Sequence, residues 1–571
     1  MQYFKFLLTL LFIMVSKQIE LEIKEKTLLT IVLFSFLIFT LARNLQVTLI
    51  SPIAFGDEGF HSYTAYLFSD LKFPIWTDYV GNNLQYGSFS RPPLWNILEG
   101  AFLLLLLKSE LVIRILTPLI AFLTGISTFV LAKKIWNEKV AFFASILTVS
   151  FPSFVTYSVL FYTDILFTFY FSIFFFTFLL WKKTNDKKYF ILSASFAALA
   201  FLTKRPGFFI FPFLLFAFVY ELYKNTKRSK ILVKNYLIFL FIALILVSGF
   251  LIRNIRYYNT PYCGIPIFQK YIDKFFGGSK CSINLWKGNY TFSGRTEEVG
   301  SEMNIYKFGL VNYVNFAYGN TWLFIIGVFS GIYLTYKKNS ISPFILMFLV
   351  GLFLILVVSY ARTEDTARYT LGWAPALASI IGVFLSEVYE YLKLSGKKIG
   401  ILLAATLVVL ILIIAYQNFS SKLSVMYQVK QFSKLFFEAC DWVKENPDKV
   451  PANSRLYTIW AYRALYNCKR YVGGQVADVV FSRDVNETLK MLKELGYTHM
   501  FIQKFSIDPR NPHLVEKYDY DFVKFLESHP EAFEKIYENG PSLDECYYYW
   551  LSGYSCDGNI IYKINYNLLE V

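Results

Sequence analysis

The chain has 571 residues, 55% of them hydrophobic and 20% aromatic, with a mean hydropathy of +0.43. Soluble domains are roughly 45–50% apolar, and here the excess lies in long Phe-, Leu- and Ile-rich runs, which excludes an ordinary soluble protein and implies a polytopic membrane protein. The net charge of +15 gathers in short Lys/Arg clusters between those runs, as the positive-inside bias produces; no DNA- or RNA-binding motif accompanies it, so nucleic acid is not an expected partner.

In chain order, residues 3–15 are apolar but too short for a span of about 20 residues. Charged residues follow, Ser16-Lys17-Gln18-Ile19-Glu20, with no small-residue cleavage site, which predicts an interfacial helix rather than a signal peptide. The first span is 27–49. It leads into an outer stretch headed by Gly56-Asp57-Glu58-Gly59-Phe60-His61 and closed by Arg91-Pro92-Pro93-Leu94. Two carboxylates just past a span are costly unless they meet water or a cation, so they are functional candidates; the plainer alternative is Asp57 as the N-cap of a short helix. The run 94–107 is short, follows Arg91 and is expected to lie at the interface without crossing.

Further spans are expected at 110–132, 139–159, 164–181, 189–203, 206–222, 231–252, 319–336, 342–360, 369–391 and 399–416. With 94–107 not crossing, the basic connectors (Lys133-Lys134, Lys182-Lys183 with Lys187-Lys188, Lys224 to Lys234, Lys337-Lys338, Lys393 to Lys398) share one side with the N-terminus, the cytoplasmic side. This gives about eleven transmembrane helices. Cys263, Cys281, Cys440, Cys468, Cys546 and Cys556 all fall on the opposite side, which suggests disulfides in an oxidising space. Proximity favours Cys263–Cys281, Cys440–Cys468 and Cys546–Cys556. The sequons at Asn289, Asn418 and Asn486 fall on that side too.

After 417 the apolar runs shorten. An amphipathic helix is expected over 429–445, strands at 455–460, 498–504 and 559–564, and a helix at 484–495. The domain reading is a membrane domain 1–416, with outer loops 50–109 and 253–318, and an extracytoplasmic α/β domain 417–571. No metal-ligand spacing, Gly-rich phosphate loop or nucleophile elbow occurs in the latter.

The charged residues at the outer ends of the spans form a set: Asp57 and Glu58, Arg91, Asp164, Lys204 and Arg205, Arg253 and Arg256, and Arg368. This mixture suits transfer of a sugar from a lipid phosphate. The phosphate is a good leaving group and needs cations more than a general acid, Arg and Lys supply them, and the acceptor hydroxyl needs a carboxylate base. Arg253 and Arg256 could equally anchor a helix end at head groups. His61 reads as an interfacial aromatic-belt residue rather than a metal ligand, and the Phe- and Tyr-rich spans as lipid-facing packing.

The pattern of Asp57-Glu58 after the first span, Arg91-Pro92-Pro93-Leu94 further on, Asp164 opening a later span, Leu202-Thr203-Lys204-Arg205-Pro206, and Arg368-Tyr369 followed by Pro375 resembles the polyprenyl-phosphate-sugar-dependent glycosyltransferases of the GT-C fold. That group includes protein O-mannosyltransferases and the lipid A aminoarabinose transferase, and the resemblance covers about residues 27–391. It implies Asp57 as the catalytic base, with Glu58 beside it and Asp164 as a second active-site carboxylate. It implies Lys204 on the lipid phosphate, with Arg91, Arg205, Arg253, Arg256 and Arg368 as further phosphate-binding candidates. Two departures stand out: Arg91 replaces the usual His or Lys before Pro-Pro, and Arg205 replaces the usual Gly after Lys. The Trp-Trp-Asp motif of the oligosaccharyltransferase branch is missing.

The resemblance implies a dolichyl- or undecaprenyl-phosphate sugar donor, a protein, lipid or glycan acceptor at the outer face of the bilayer, and inversion at the anomeric carbon. No metal ligands are assigned, and a divalent cation is the one cofactor left open. Two other classes would also carry charges near a membrane. A transporter or flippase would put them inside spans near the midplane, and an assembly protein would not need Asp57, Arg91 and Lys204 together.

Overall fold

The computed structural model describes residues 25–51, 53, 56–70, 92–106, 109–224, 229–258, 314, 317–337, 368, 370–394, 399–431, 434–458, 461–473, 484–494, 496–504, 520–552 and 556–568. The expected span 342–360, Arg91, Asn289, the Cys263–Cys281 pair and the side chains of Asp57 and Arg205 lie outside the described residues.

Helices occupy the other ten expected spans. They open with α1 (Glu25–Ile50), followed by α2 (Gly56–Ser69) and α3 (Leu94–Leu105). Next come α4 (Glu110–Ile135), α5 (Glu138–Ser150), α6 (Pro152–Ser158), α7 (Thr163–Thr184) and α8 (Lys187–Thr203). A 3-10 turn, Arg205–Phe209, leads into α9 (Ile210–Lys224), and α10 (Ser229–Tyr258), α11 (Thr321–Lys337), α12 (Ala374–Leu394) and α13 (Ile399–Gln431) complete the bundle. Among the described residues seven helices are long and apolar enough to cross a membrane, or eight if the bent pair α5–α6 is one span. Helix α3 is a 12-residue apolar helix, in keeping with an interfacial position.

Local chemistry sets the helix ends. Asn137 and Asp186 cap α5 and α8 through side-chain bonds to the amides of Val140 (2.9 Å) and Lys188 (2.8 Å). Asn185 ends α7 in the left-handed region (φ 60), with Lys182 and Lys183 in its last turn. The expected span 139–159 is not continuous: it bends by 62° at Phe151-Pro152. Proline has no amide hydrogen to donate and pushes the residue before it out of the helical region, so Phe151 is extended (ψ 130).

The core also corrects an expectation. The Phe-rich span is not lipid-facing: the apolar windows of α7 and of the helix through α12 are each 83% buried, against 28% for α10 and 33% for α13. Phe167, Phe171, Phe174, Phe175, Phe176 and Phe178 are all buried, and α7 packs against α4, α8 and the turn before α12. The centre of the bundle is therefore the helix whose first turn carries Asp164.

Helix α13 does not stop at 416 but runs on to Gln431. Beyond it lie α14 (Lys434–Glu445), α15 (Ala461–Cys468), α16 (Val485–Glu494), α17 (Tyr520–Glu527) and α18 (Leu543–Leu551). They flank a five-stranded sheet of order β2-β1-β3-β5-β4, built from β1 (Arg455–Tyr457), β2 (Tyr471–Gly473), β3 (His499–Gln503), β4 (Phe533–Asn539) and β5 (Asn559–Ile564). β1 is parallel to β2 and β3, and β5 runs antiparallel to β3 and β4. Cys440–Cys468 and Cys546–Cys556 are disulfide-bonded. Asn486 is exposed, but Asn418 lies within α13 with its side chain against Gly319, a poor place for a glycan.

Candidate active site

Asp164 sits in the first turn of α7 and is fully buried. Its carboxylate is paired with Lys204 Nζ, and Arg368 Nε lies 3.1 and 3.2 Å from its two oxygens. The ammonium of Lys204 also donates to the Arg368 carbonyl at 3.4 Å, and the Arg368 guanidinium lies over the Tyr162 ring at 4.5 Å. Among the described residues, one carboxylate thus faces two cations. A carboxylate at this depth is tolerable only because both neighbours neutralise it.

Close backbone approaches hold the two cations. After α8 the chain turns at Lys204, and Gly207 donates back to the Lys204 carbonyl at 2.9 Å. A Cβ on Gly207 would lie 2.5 Å from Phe201 Cα, so the turn presses directly on α8. On the other side, Arg368 precedes a turn at Leu371–Trp373 that rests on α7: Trp373 lies 4.7 Å from the Phe171 ring, and a Cβ on Gly372 would meet Phe167 at 2.5 Å.

The Asp57-Glu58 pair lies in the first turn of α2. Glu58 is 1% exposed and accepts the Phe161 amide at 2.9 Å. Glu58, grouped in sequence with Asp57, is placed by this bond on the backbone that leads into Asp164. Behind it is a small cavity lined by Ser51, Glu58, Arg114, Thr117, Leu160 and Phe161. His61 is not at an exposed belt: it is 3% exposed and its Nδ1 lies 2.7 Å from Asn96 Oδ1 of α3. With Trp95 5.5 Å from Phe161, the segments around 57, 92–94, 161–164, 204 and 368 that the sequence grouped therefore meet at one end of the bundle.

Arg253 lies over the Phe250 ring at 5.0 Å, and Arg256 is exposed in the last turn of α10. Neither is a partner of Asp164, whose partners are Lys204 and Arg368. Among the described residues no three His, Cys, Asp or Glu side chains converge as metal ligands.

Several residues were invisible to sequence reasoning. Glu99 of α3 is 1% exposed, neither oxygen has a hydrogen-bond partner, and burial pushes its pKa well above the carboxylate range, which favours the neutral form. Glu110 and Arg114 pair at 2.6 Å, and Arg114 Nη1 donates to the Ser51 carbonyl at 2.6 Å, closing the end of α1. The Glu-x-x-x-Arg spacing at the start of α4 was the available signal for that pair. Nothing in the sequence distinguished Glu99.

A family model described as dolichyl-phosphate-mannose-protein mannosyltransferase matches residues 90–252, under a third of the chain. No curated protein matches the chain in sequence. Among solved structures, the apo oligosaccharyltransferase of Archaeoglobus fulgidus matches with a TM-score of 0.62 at 12% identity, covering 93% of this chain and 88% of that one. AglB from the same organism, in complex with an inhibitory peptide and a dolichol-phosphate, matches with a TM-score of 0.59 at 13% identity, covering 89% and 73%. ArnT from Cupriavidus metallidurans, bound to undecaprenyl phosphate, matches with a TM-score of 0.57 at 13% identity, covering 94% and 99%. The chain is a multi-pass membrane protein with the GT-C glycosyltransferase fold, similar over residues 90–252 to the dolichyl-phosphate-mannose-protein mannosyltransferases.

Proposed function

We propose that this protein transfers a sugar from a polyprenyl-phosphate donor to an acceptor hydroxyl or amide at the outer membrane face. The observation that carries the reading is the Asp164–Lys204–Arg368 cluster, a fully buried carboxylate with two cations on it, joined through Phe161 to the helix that bears Asp57. In this reading Asp57 takes the acceptor proton as the acceptor oxygen or nitrogen attacks the anomeric carbon. The bond from that carbon to the phosphate oxygen breaks, and the lipid phosphate leaves with both electrons. Lys204 and Arg368 stabilise the charge that grows on it. Asp164 orients the two cations, and Glu58 fixes the first turn of α2 against the entrance to α7. A single displacement of this kind inverts the anomeric centre.

The N-terminus is assigned to the cytoplasm and the sheet domain to the outside, on the one-sided Lys/Arg clusters and cysteines. The donor class is supported by the lipid phosphates that AglB and ArnT bind in their structures. The test is incubation of the purified protein with a panel of polyprenyl-phosphate sugars, followed by mass spectrometry of the lipid and acceptor fractions. Sugar leaving the lipid and appearing on an acceptor is the expected result. Unchanged donors across the panel would reject the reading.

A further inference from the structure

Among the described residues, α15 joins the sheet domain to the candidate site. α15 packs against α2, the helix that carries Asp57, and against α14. Its last residue, Cys468, is disulfide-bonded to Cys440 of α14, so α15 is fixed to the sheet domain by a covalent staple. From there it makes three contacts toward the site. Asn467 Nδ2 donates to the Ile53 carbonyl at 3.2 Å, in the link between α1 and α2. Tyr466, 4% exposed, lies with its ring 6.2 Å from that of Tyr66 of α2, and Glu110 is close enough to act electrostatically on its hydroxyl. The Lys469 ammonium lies 4.3 Å from the Tyr466 ring and 5.8 Å from the Tyr66 ring. Glu110 in turn holds Arg114, which closes the end of α1.

Lys469 carries the clearest sign of a role beyond packing. It ends α15 at φ 54, in the left-handed region, where glycine is the favoured residue. A lysine there keeps a costlier backbone conformation and in return places a cation on the two rings that join the sheet domain to α2.

We propose that Tyr466 and Lys469 are positioning residues: they set the orientation of α2, and with it Asp57, so that the sheet domain forms part of the active unit. The proposal rests on the site reading above. Its consequence is that α2 is held from both ends, by Glu58 on Phe161 at its start and by Tyr466 and Lys469 on Tyr66 near its close.

The test uses the full-length protein with a polyprenyl-phosphate sugar that it turns over. Tyr466→Phe and Lys469→Gly should each lower kcat by about 10- to 100-fold, the effect of a small misplacement of a reacting group, with the donor KM within twofold. Lys469→Gly should leave heat stability equal or higher, because glycine relieves the left-handed backbone, and Lys469→Arg should recover much of the turnover. A loss of turnover in Lys469→Gly that tracks lost heat stability or folded yield would reduce the residue to packing and overturn the proposal. Full turnover in both variants, with Asp57→Asn inactive, would overturn the positioning while leaving the site reading intact. Full turnover in Asp57→Asn would remove the site reading and the proposal together.

Discussion

Glu58 accepts the Phe161 backbone amide at 2.9 Å, across 103 residues of sequence. Three residues after Phe161 stands Asp164, with Lys204 and Arg368 on its carboxylate. One hydrogen bond therefore ties the helix of the proposed base to the helix of the cation cluster. Glu58→Gln keeps an oxygen for the amide and should fold normally and retain most turnover. Glu58→Leu leaves the amide buried without a partner, at a cost of about 1–3 kcal/mol, and should lose turnover as well. Thermal unfolding alongside a turnover assay checks both. Loss of turnover in Glu58→Gln at unchanged stability would mean that its charge serves the chemistry.

Removing one member of the Asp164 cluster should be worse than removing two. Asp164→Asn takes the carboxylate from the buried Lys204 and the part-buried Arg368, and breaking such a pair costs about 3–5 kcal/mol. Asp164→Asn combined with Lys204→Met removes one charge of each sign and should recover part of the lost stability, but no turnover. Detergent-solubilised melting curves of the single and double variants make the comparison. Additive losses in the double variant would contradict the pairing.

Much of this was legible in the sequence, and the reasons are physical. Spans announce themselves by hydropathy, so ten expected segments are helices, and β5 has the expected bounds because its apolar run is short and sharply flanked. The two disulfides within the described residues follow the proximity pairing. What composition could not reveal is which face of an apolar helix meets protein and which meets lipid, since Phe serves both. That is why α7 was misread as lipid-facing. The bend has its sequence signal in Pro152, the one proline within 139–159. Lys204 and Arg368 could be placed at one end of the bundle by counting spans, whereas their meeting on Asp164 is a tertiary contact between segments 164 residues apart. The contacts of Tyr466 with α2 join parts of the chain that share no sequence pattern.

The turn at Gly207 should be intolerant of side chains. A Cβ there would lie 2.5 Å from Phe201 Cα and 2.7 Å from the Ala200 carbonyl, both backbone atoms that cannot swing aside. Gly207→Val should destabilise by about 1–3 kcal/mol and weaken donor binding by displacing Lys204. Donor affinity measured on the folded fraction tests this; unchanged affinity would separate Lys204 from the donor.

The sheet domain should lose stability on mild acidification. His499 is 3% exposed, its Nε2 lies 3.0 Å from the Lys449 carbonyl, and burial lowers its proton affinity, with Lys563 and Arg470 adding to the effect. The folded state therefore favours neutral histidine. That stability is present above the unfolded value of about 6.5 and is lost as pH falls below it, because the unfolded chain binds the extra proton. Melting of the domain between pH 7.5 and 5.5 should show the decline, and His499→Gln should flatten it. An identical slope in the variant would assign the effect to other groups.

Thiol titration under non-reducing, denaturing conditions should find Cys440, Cys468, Cys546 and Cys556 unreactive. Each closed loop contributes about 2–4 kcal/mol, so reductant should lower the melting temperature of the sheet domain. Reactive thiols at these four positions, mapped by mass spectrometry of labelled peptides, would contradict the pairing.

In the proposed reaction Asp57 and Lys204 divide the work of sugar transfer from a lipid phosphate. The most direct measurement is release of polyprenyl phosphate from a polyprenyl-phosphate sugar, followed together with donor-lipid binding for Asp57→Asn and Lys204→Ala. Asp57→Asn should lower turnover by roughly 10²- to 10⁴-fold with donor binding preserved. Lys204→Ala should weaken both, because its cation acts on charge present before and during the reaction. Loss of donor binding in Asp57→Asn, with neither quantity changed in Lys204→Ala, would contradict the account.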